Sequence, residues 1–197
     1  MHLQTTNNNT QMANIKLFLT DVDGCLTDGA MYYGANGEEL KRFCVYDGMG
    51  MVCLQQAGIP CGILTSENSP IVLARAKKLK LQFLYLGVGS RVNATVQFYN
   101  PADGDPIERS RFTKLQAAQR ICSQLDIELS EVCYVGDDIN DIDLLSVVGH
   151  PCCPPNARPE VLAIPGIRVL KTPGGRGAIR EIADIILQGM NLPAEHE

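Results

Sequence analysis

Short apolar runs alternate with stretches of helical periodicity along the whole chain, and that rhythm leaves few folds open. The runs at Ile15 to Thr20, Cys61 to Thr65, Phe83 to Leu86, Val132 to Val135 and Arg168 to Leu170 read as strands. Between them, Gly48 to Gln56, Pro70 to Leu79, Thr113 to Leu125, Asp141 to Val147 and Gly177 to Gly189 read as helices. Strands and helices in succession predict β-α units, hence an α/β fold in which helices cover a mostly parallel sheet.

At 197 residues, 45% of them hydrophobic, the chain suffices for one substantial core and is short for two. The expected domain runs from 15 to 190, between a polar N-terminal tail (1–14) and a C-terminal tail (191–197). Two segments interrupt the alternation. Met31-Tyr32-Tyr33, a Gly34-Ala35-Asn36-Gly37 turn and Glu39 to Val45 read as a β-hairpin spanning about 30–45. The polar stretch 89–112, with an apolar patch Val96-Gln97-Phe98-Tyr99, reads as a long surface loop or small hairpin.

The net charge of -5 argues against a nucleic-acid partner or an anionic membrane surface, for which basic patches are expected. No apolar stretch approaches the roughly 20 residues that span a bilayer, and Met1 to Asn14 lacks the apolar core of a signal peptide, so a cytoplasmic location is expected. Eight cysteines contain no Cys-x-x-Cys pair and sit mostly in apolar runs, where thiols behave as small buried hydrophobes. Three histidines, two of them near the termini, argue against a histidine-rich zinc site.

The chemistry-bearing residues fall at strand ends. Asp21 and Asp23, two residues apart at the end of the first run and leading into Gly24, share a face of extended backbone and can address one small target. Such a pair suits phosphoryl transfer, although Asp-x-Asp-Gly also occurs in calcium loops and ordinary turns. Thr65 and Ser66 end the second run, where a hydroxyl and free backbone N–H groups hold phosphate oxygens or simply cap a helix. Lys114 opens a helix; Asp137, Asp138 and Asp141 follow the fourth run. In open α/β sheets ligands bind beyond the carboxyl ends of the strands, where Asp21, Asp23, Thr65 and Asp137 lie. Carboxylates converging there need a cation, and an all-oxygen set points to Mg²⁺. Asp141, four residues beyond Asp137, is placed to pair with Lys114.

In this order, Asp21-Val22-Asp23-Gly24, Leu64-Thr65-Ser66, Lys114 and Gly136-Asp137-Asp138-Ile139-Asn140-Asp141 resemble the four motifs of the haloacid-dehalogenase-like phosphatases. Asp28-Gly29, Tyr33-Gly34, Asn36 to Lys41, Tyr46 to Gly50 and Gly174 to Glu181 are similar to one branch, the capless tetrameric phosphatases of 2-keto-3-deoxy sugar acids. The resemblance covers about 15 to 190 except the insertion. It implies a Rossmann-like three-layer sandwich with the hairpin inserted and no large cap domain. It also implies a phosphomonoesterase with Asp21 as nucleophile, forming an aspartyl-phosphate, and Asp23 as acid and then base. Mg²⁺ would be held by Asp21, the Asp23 backbone carbonyl and Asp137, with Asp138 close by; Thr65, Ser66 and Lys114 would hold the phosphoryl group. In the family the hairpin packs into a homotetramer and helps close a neighbouring site.

The choice of sugar acid rests on fewer residues. Glu67, with Arg75 and Lys78 on the next helix, resembles the relatives acting on nine-carbon acids, the 9-phosphates of deaminated neuraminic acid (KDN) or of sialic acid, and the sequence favours these. Gly175-Arg176-Gly177 instead resembles the enzymes of 3-deoxy-manno-octulosonate (KDO) 8-phosphate, an intermediate of lipopolysaccharide precursor synthesis, which is the alternative. Arg176 joins Glu67, Arg75 and Lys78 as expected substrate contacts. Two other classes compete. Related domains fused to sialic-acid cytidylyltransferases serve assembly and lack catalytic carboxylates, whereas Asp21 and Asp23 are both present here. Receiver domains phosphorylate an aspartate after a middle strand; here the nucleophile follows the first.

Overall fold

The computed structural model describes residues 14–88, 97–98 and 112–190. Seven strands form one sheet in the order β6-β5-β4-β1-β7-β8-β9: β1 (Leu17–Thr20), β4 (Cys61–Thr65), β5 (Phe83–Leu86), β6 (Gln97–Phe98), β7 (Val132–Val135), β8 (His150–Cys153) and β9 (Arg168–Val169). All pairings are parallel except β5 with β6. The expected α/β sandwich with a mostly parallel sheet is therefore what the chain forms. Gln97–Phe98 adds an antiparallel edge to β5; the rest of the 89–111 segment, like residues 1–13 and 191–197, lies outside the described residues.

Side-chain alternation along the strands builds two cores. Leu17 and Leu19 enter one and Phe18 the other; Leu64 and Ile63, Tyr85 and Leu84, Tyr134 and Cys133 divide in the same way. The first core is closed by α3 (Lys114–Leu125), α4 (Ile142–Leu145) and α5 (Pro159–Leu162) through Ala117, Ile121, Leu144 and Val161. The second is closed by α1 (Val45–Gln56), α2 (Pro70–Leu79) and α6 (Ala178–Gly189) through Met51, Leu54, Val72, Ile179 and Ile182. Each buried leucine or isoleucine contributes about 2 kcal/mol by leaving water, so the cores fix the sheet and leave the loops to polar contacts.

Local signals set the helix ends. Thr113 and Gln116 form a reciprocal capping box that starts α3 at Lys114. Pro70 takes the first turn of α2, and Lys80 ends it in a left-handed conformation. The start of α6 is capped from another helix: buried Asp47 on α1 accepts from the backbone N–H of Gly177 (3.2 Å) and Arg180 (3.0 Å).

Several expectations need revision. The hairpin consists of β2 (Tyr32–Gly34) and β3 (Gly37–Leu40), and α1 already begins at Val45, so the second strand is shorter than expected. Strand β8 was not anticipated: its sequence His-Pro-Cys-Cys carries a proline and only four residues, yet β7 and β9 pair with it on either side. The four-residue α5 was too short to leave a periodic signal. The chain order reverses at β1, which has β4 on one side and β7 on the other, the kind of switch point beyond whose carboxyl strand ends open α/β sheets bind ligands.

Candidate active site

Strand β1 ends at Thr20, so Asp21 and Asp23 do not lie in one extended strand as their spacing suggested. They belong instead to a tight turn over Val22–Leu26, made possible by Gly24 at φ +87°. Asp21 is buried; its Oδ1 accepts from the Val22 backbone N–H at 2.7 Å, and its Oδ2 lies 2.9 Å from Lys114 Nζ.

Lys114, the first residue of α3, is itself buried and also reaches Asp141 Oδ1 at 2.5 Å. The pairing anticipated from the sequence is thus present. Asp141 is fully buried, accepts from the Tyr134 hydroxyl, and through Oδ2 accepts from the backbone N–H groups of Asp137 (3.0 Å) and Asp138 (3.1 Å). Burial alone pulls the Lys114 ammonium down, and the two carboxylates more than reverse this, holding it protonated.

Asp137 closes the cluster from the end of β7: one oxygen from each of Asp21, Asp137 and Asp141 lies within 4.8 Å of the others. Three carboxylates face one ammonium here. Burial, opposed by Lys114 and reinforced by Asp141, raises Asp21 from 3.8 to about 7. Burial followed by repulsion from Asp21 and Asp141 raises Asp137 to about 7 as well. The donor set is all oxygen, and the surplus negative charge fits a divalent cation of the Mg²⁺ class. The backbone agrees: a Cβ on Gly24 would stand 1.9 Å from Asp137 Oδ2, so only glycine lets that carboxylate approach the turn. The Cys25 thiol, buried beside it, donates to Asp137 Oδ1 at 3.6 Å.

Asp138 is exposed, and its Oδ1 is engaged by the Ile139 backbone N–H at 2.7 Å as a helix cap; it is not part of the three-carboxylate group. The Asp23 carboxylate also lies outside that group. Its Oδ1 is 2.6 Å from Nζ of Lys41, a buried residue directly after β3, and 3.3 Å from the Thr27 hydroxyl.

Thr65 is buried at the end of β4, and its Oγ1 accepts from the Glu67 backbone N–H at 3.2 Å, leaving the hydroxyl proton to donate elsewhere. Ser66 differs: its hydroxyl donates to the Val88 carbonyl (2.8 Å) and accepts from Asn140 Nδ2 (2.9 Å), tying the loop after β4 to the loop after β7. A phosphate contact from Ser66 therefore falls to its backbone. The helix starts only at Pro70.

The four expected substrate contacts are not gathered in one place by side-chain bonds. Glu67 and Arg176 are exposed on the loops after β4 and before α6, and Lys78 is exposed on α2. The Arg75 guanidinium turns to α1 instead: it donates to the Cys44 carbonyl (3.3 Å), lies over the Phe43 ring and would collide with any side chain at Gly48. Its three-residue spacing from Lys78 was real, but packing claimed it.

Sequence reasoning gave no role to Lys41, Tyr134, Asn140 or Asn156. Asn156 Nδ2 donates to the Gly24 carbonyl (3.0 Å) while its Oδ1 accepts from the Gly174 backbone N–H (2.8 Å), clamping the turn after Asp21 to the glycine loop. Gly174 packs against the Gly24 carbonyl so closely that a Cβ would come within 1.8 Å. The Asn156–Gly24 bond joins residues 132 positions apart and leaves no local signal.

A family profile for haloacid dehalogenase-like hydrolases matches residues 72–167. A 3-deoxy-D-manno-octulosonate 8-phosphate phosphatase of Haemophilus influenzae is 33% identical over 178 residues, 90% of this chain and 86% of that protein. Its counterpart in Escherichia coli K12 is 35% identical over 175 residues, 88% and 80% of the two chains. The crystal structure of the Moraxella catarrhalis phosphatase, in complex with a magnesium ion, a phosphate ion and a KDO molecule, superposes with a TM-score of 0.79 at 32% identity, covering 95% of this chain and 94% of that one. A cobalt-bound Haemophilus influenzae structure gives a TM-score of 0.76 at 32% identity, with 92% of each chain covered.

Proposed function

The chain belongs to the haloacid dehalogenase-like hydrolases, among the relatives of the 3-deoxy-D-manno-octulosonate 8-phosphate phosphatases, and is a phosphatase; we propose that its substrate is KDO-8-phosphate and its cofactor Mg²⁺. The observation that carries this reading is the group of buried Asp21 and Asp141 with half-buried Asp137, in which Lys114 pairs with Asp21 and Asp141, a charge imbalance that a divalent cation and a phosphoryl group complete.

Asp21 Oδ1 is held by the Val22 N–H and Oδ2 by Lys114, contacts that orient the carboxylate and support its reading as the nucleophile toward phosphorus. The phosphoryl group transfers to Asp21 as the P–O bond to the sugar breaks, and Asp23 gives a proton to the departing alkoxide. Asp23 then takes a proton from the water that cleaves the aspartyl-phosphate. An alkoxide leaves poorly, so an acid in this position supplies about 10²–10⁴-fold. Lys114, Thr65 and the N–H groups after Thr65 offset charge on the phosphoryl oxygens. Asp21 and Asp137, with the Asp23 carbonyl, would hold Mg²⁺, which neutralises the phosphate when bound. Asp141 and Tyr134 position Lys114, and Asp138 caps the turn behind Asp137.

The nine-carbon preference drawn from Glu67, Arg75 and Lys78 is not supported by the relatives, which carry the eight-carbon name. The eight-carbon alternative fits better, with Arg176 as the residue in common with those enzymes. Exposed Tyr32, Tyr33, Leu40, Val45, Tyr46 and Met49, on the hairpin and the first turns of α1, support a homotetramer. No described helix is long and apolar enough to cross a membrane, and all eight cysteines are free thiols, in keeping with a reducing, cytoplasmic setting.

A panel of KDO-8-phosphate, KDN-9-phosphate and sialic-acid 9-phosphate, assayed with Mg²⁺, tests the proposal. The highest kcat/KM is expected on KDO-8-phosphate. A preference for either nine-carbon acid would reinstate Glu67 as selector, and turnover of none would reject the substrate class.

A further inference from the structure

The phosphatase reading leaves one buried charge without a task. Lys41 follows β3, and its side chain is completely sequestered, with Nζ 2.6 Å from Asp23 Oδ1. Burying an ammonium is costly unless a carboxylate meets it, so this contact is not an incidental surface pair. The other oxygen, Asp23 Oδ2, is buried and has no hydrogen-bond partner among the described residues. A buried carboxylate oxygen left without a partner is expensive, and its persistence beside a nucleophile has a simple functional meaning. One oxygen is anchored and the other is kept for the reacting oxygen.

We propose that Lys41 is a positioning residue for the proposed acid and base: its buried ammonium anchors Asp23 through Oδ1 so that Oδ2 faces the leaving-group oxygen and, later, the attacking water. Thr27 supports the same anchor, with its hydroxyl 3.3 Å from Asp23 Oδ1 and its Oγ1 accepting from the Gly29 N–H at 3.2 Å. Lys41 lies directly beyond the hairpin, and its neighbour Arg42 bridges Asp28 Oδ2 (3.2 Å) and the Gly175 carbonyl (3.0 Å), fixing that exit to the turn and to the glycine loop. The hairpin thus contributes a residue to its own subunit's chemistry. This inference rests on the assignment of Asp23 as acid and base.

The test uses leaving groups of different quality. p-Nitrophenolate departs from Asp21-bound phosphorus with little help from an acid, whereas the sugar alkoxide of KDO-8-phosphate needs it. In single-turnover experiments with Mg²⁺, Lys41→Met is expected to slow release of the sugar by about 10²-fold and release of p-nitrophenolate by no more than about threefold, with KM for the sugar phosphate nearly unchanged. Lys41→Arg, which keeps a cation on the stem, is expected to recover most of the sugar rate. Should the methionine variant not fold, Lys41→Gln carries the same comparison. Equal losses on both substrates in a folded variant, or no loss on either, would overturn the role of Lys41 while leaving the phosphatase reading intact. Wild-type protein that releases neither leaving group would overturn both.

Discussion

Lys114 Nζ lies 2.9 Å from Asp21 Oδ2, and both side chains are buried, so the proposed nucleophile is oriented by a cation that it shares with Asp141. Replacing Asp21 by asparagine removes the attacking oxygen without changing volume, while Lys114 keeps Asp141. Turnover of any phosphomonoester is expected to fall by about 10⁴-fold or more. The melting temperature should hold or rise, because one of three mutually repelling carboxylates is gone. Phosphate release and thermal unfolding of Asp21→Asn check the two halves; activity within tenfold of wild type would exclude Asp21 as nucleophile.

The same crowding predicts how stability and Mg²⁺ respond to pH. Asp21 and Asp137 are raised from 3.8 to about 7 in the fold, so between those values the folded protein holds protons that the unfolded chain has released. Their contribution to stability is fully present below the unfolded value and is lost as pH rises through about 7. A cation that takes the deprotonated carboxylates reverses this loss. Melting curves with chelator and with Mg²⁺ are expected to differ little at pH 5.5 and clearly at pH 8. Equal shifts at both pH values would disconnect Mg²⁺ from these two aspartates.

How far the chain could be read without coordinates depended on whether a signal was local. Strands β4, β5 and β7 and helix α2 have the limits expected from the sequence, because apolar runs bounded by turn residues or proline encode them directly. The approach of Asp21 and Asp137 was legible for a different reason: strand order in a doubly wound sheet brings strand ends together whatever their separation in sequence; the expected place of the Asp23 carboxylate beside them is taken by Asp141. What stayed hidden was set by tertiary contact. His150–Cys153 becomes a strand because neighbours pair with it; the contacts of Arg75 with the Phe43 ring and the Cys44 carbonyl likewise arise only in the fold. Lys41 could not be singled out either, since a lysine after an exposed leucine ordinarily points to water.

Gly24 supplies a prediction that depends on backbone geometry rather than on any functional group. At φ +87° an alanine pays about 1–2 kcal/mol for the left-handed backbone, and its Cβ would meet Asp137 Oδ2 at 1.9 Å. Both costs fall on the pairing of the turn after Asp21 with the carboxylate after β7. Gly24→Ala is therefore expected to raise the Mg²⁺ concentration for half-maximal activity by about 10–100-fold. Titrating Mg²⁺ in a p-nitrophenyl phosphate assay measures this; an unchanged midpoint would show that Asp137 is not held against the turn by close packing.

The exposed residues of the hairpin and α1 give the last prediction. Tyr33 and Tyr46 are each about two-thirds exposed, at 66% and 69%, in company with Val45 at 77% and Leu40 at 64%. Apolar groups exposed on the hairpin and the first turns of α1 lose free energy to water that association would recover at about 25 cal/mol per Å² buried, before the costs of ordering. The chain carries its own complement if the interface is closed and symmetric, since each subunit then presents the same apolar surface to another. Tyr33→Glu with Tyr46→Glu puts two carboxylates into that interface while leaving the cores untouched. Size-exclusion chromatography with light scattering is expected to give a four-chain mass for the wild type and a smaller species for the double variant, with no loss of secondary structure. A wild type that elutes as a monomer at assay concentration would assign these side chains to some other partner.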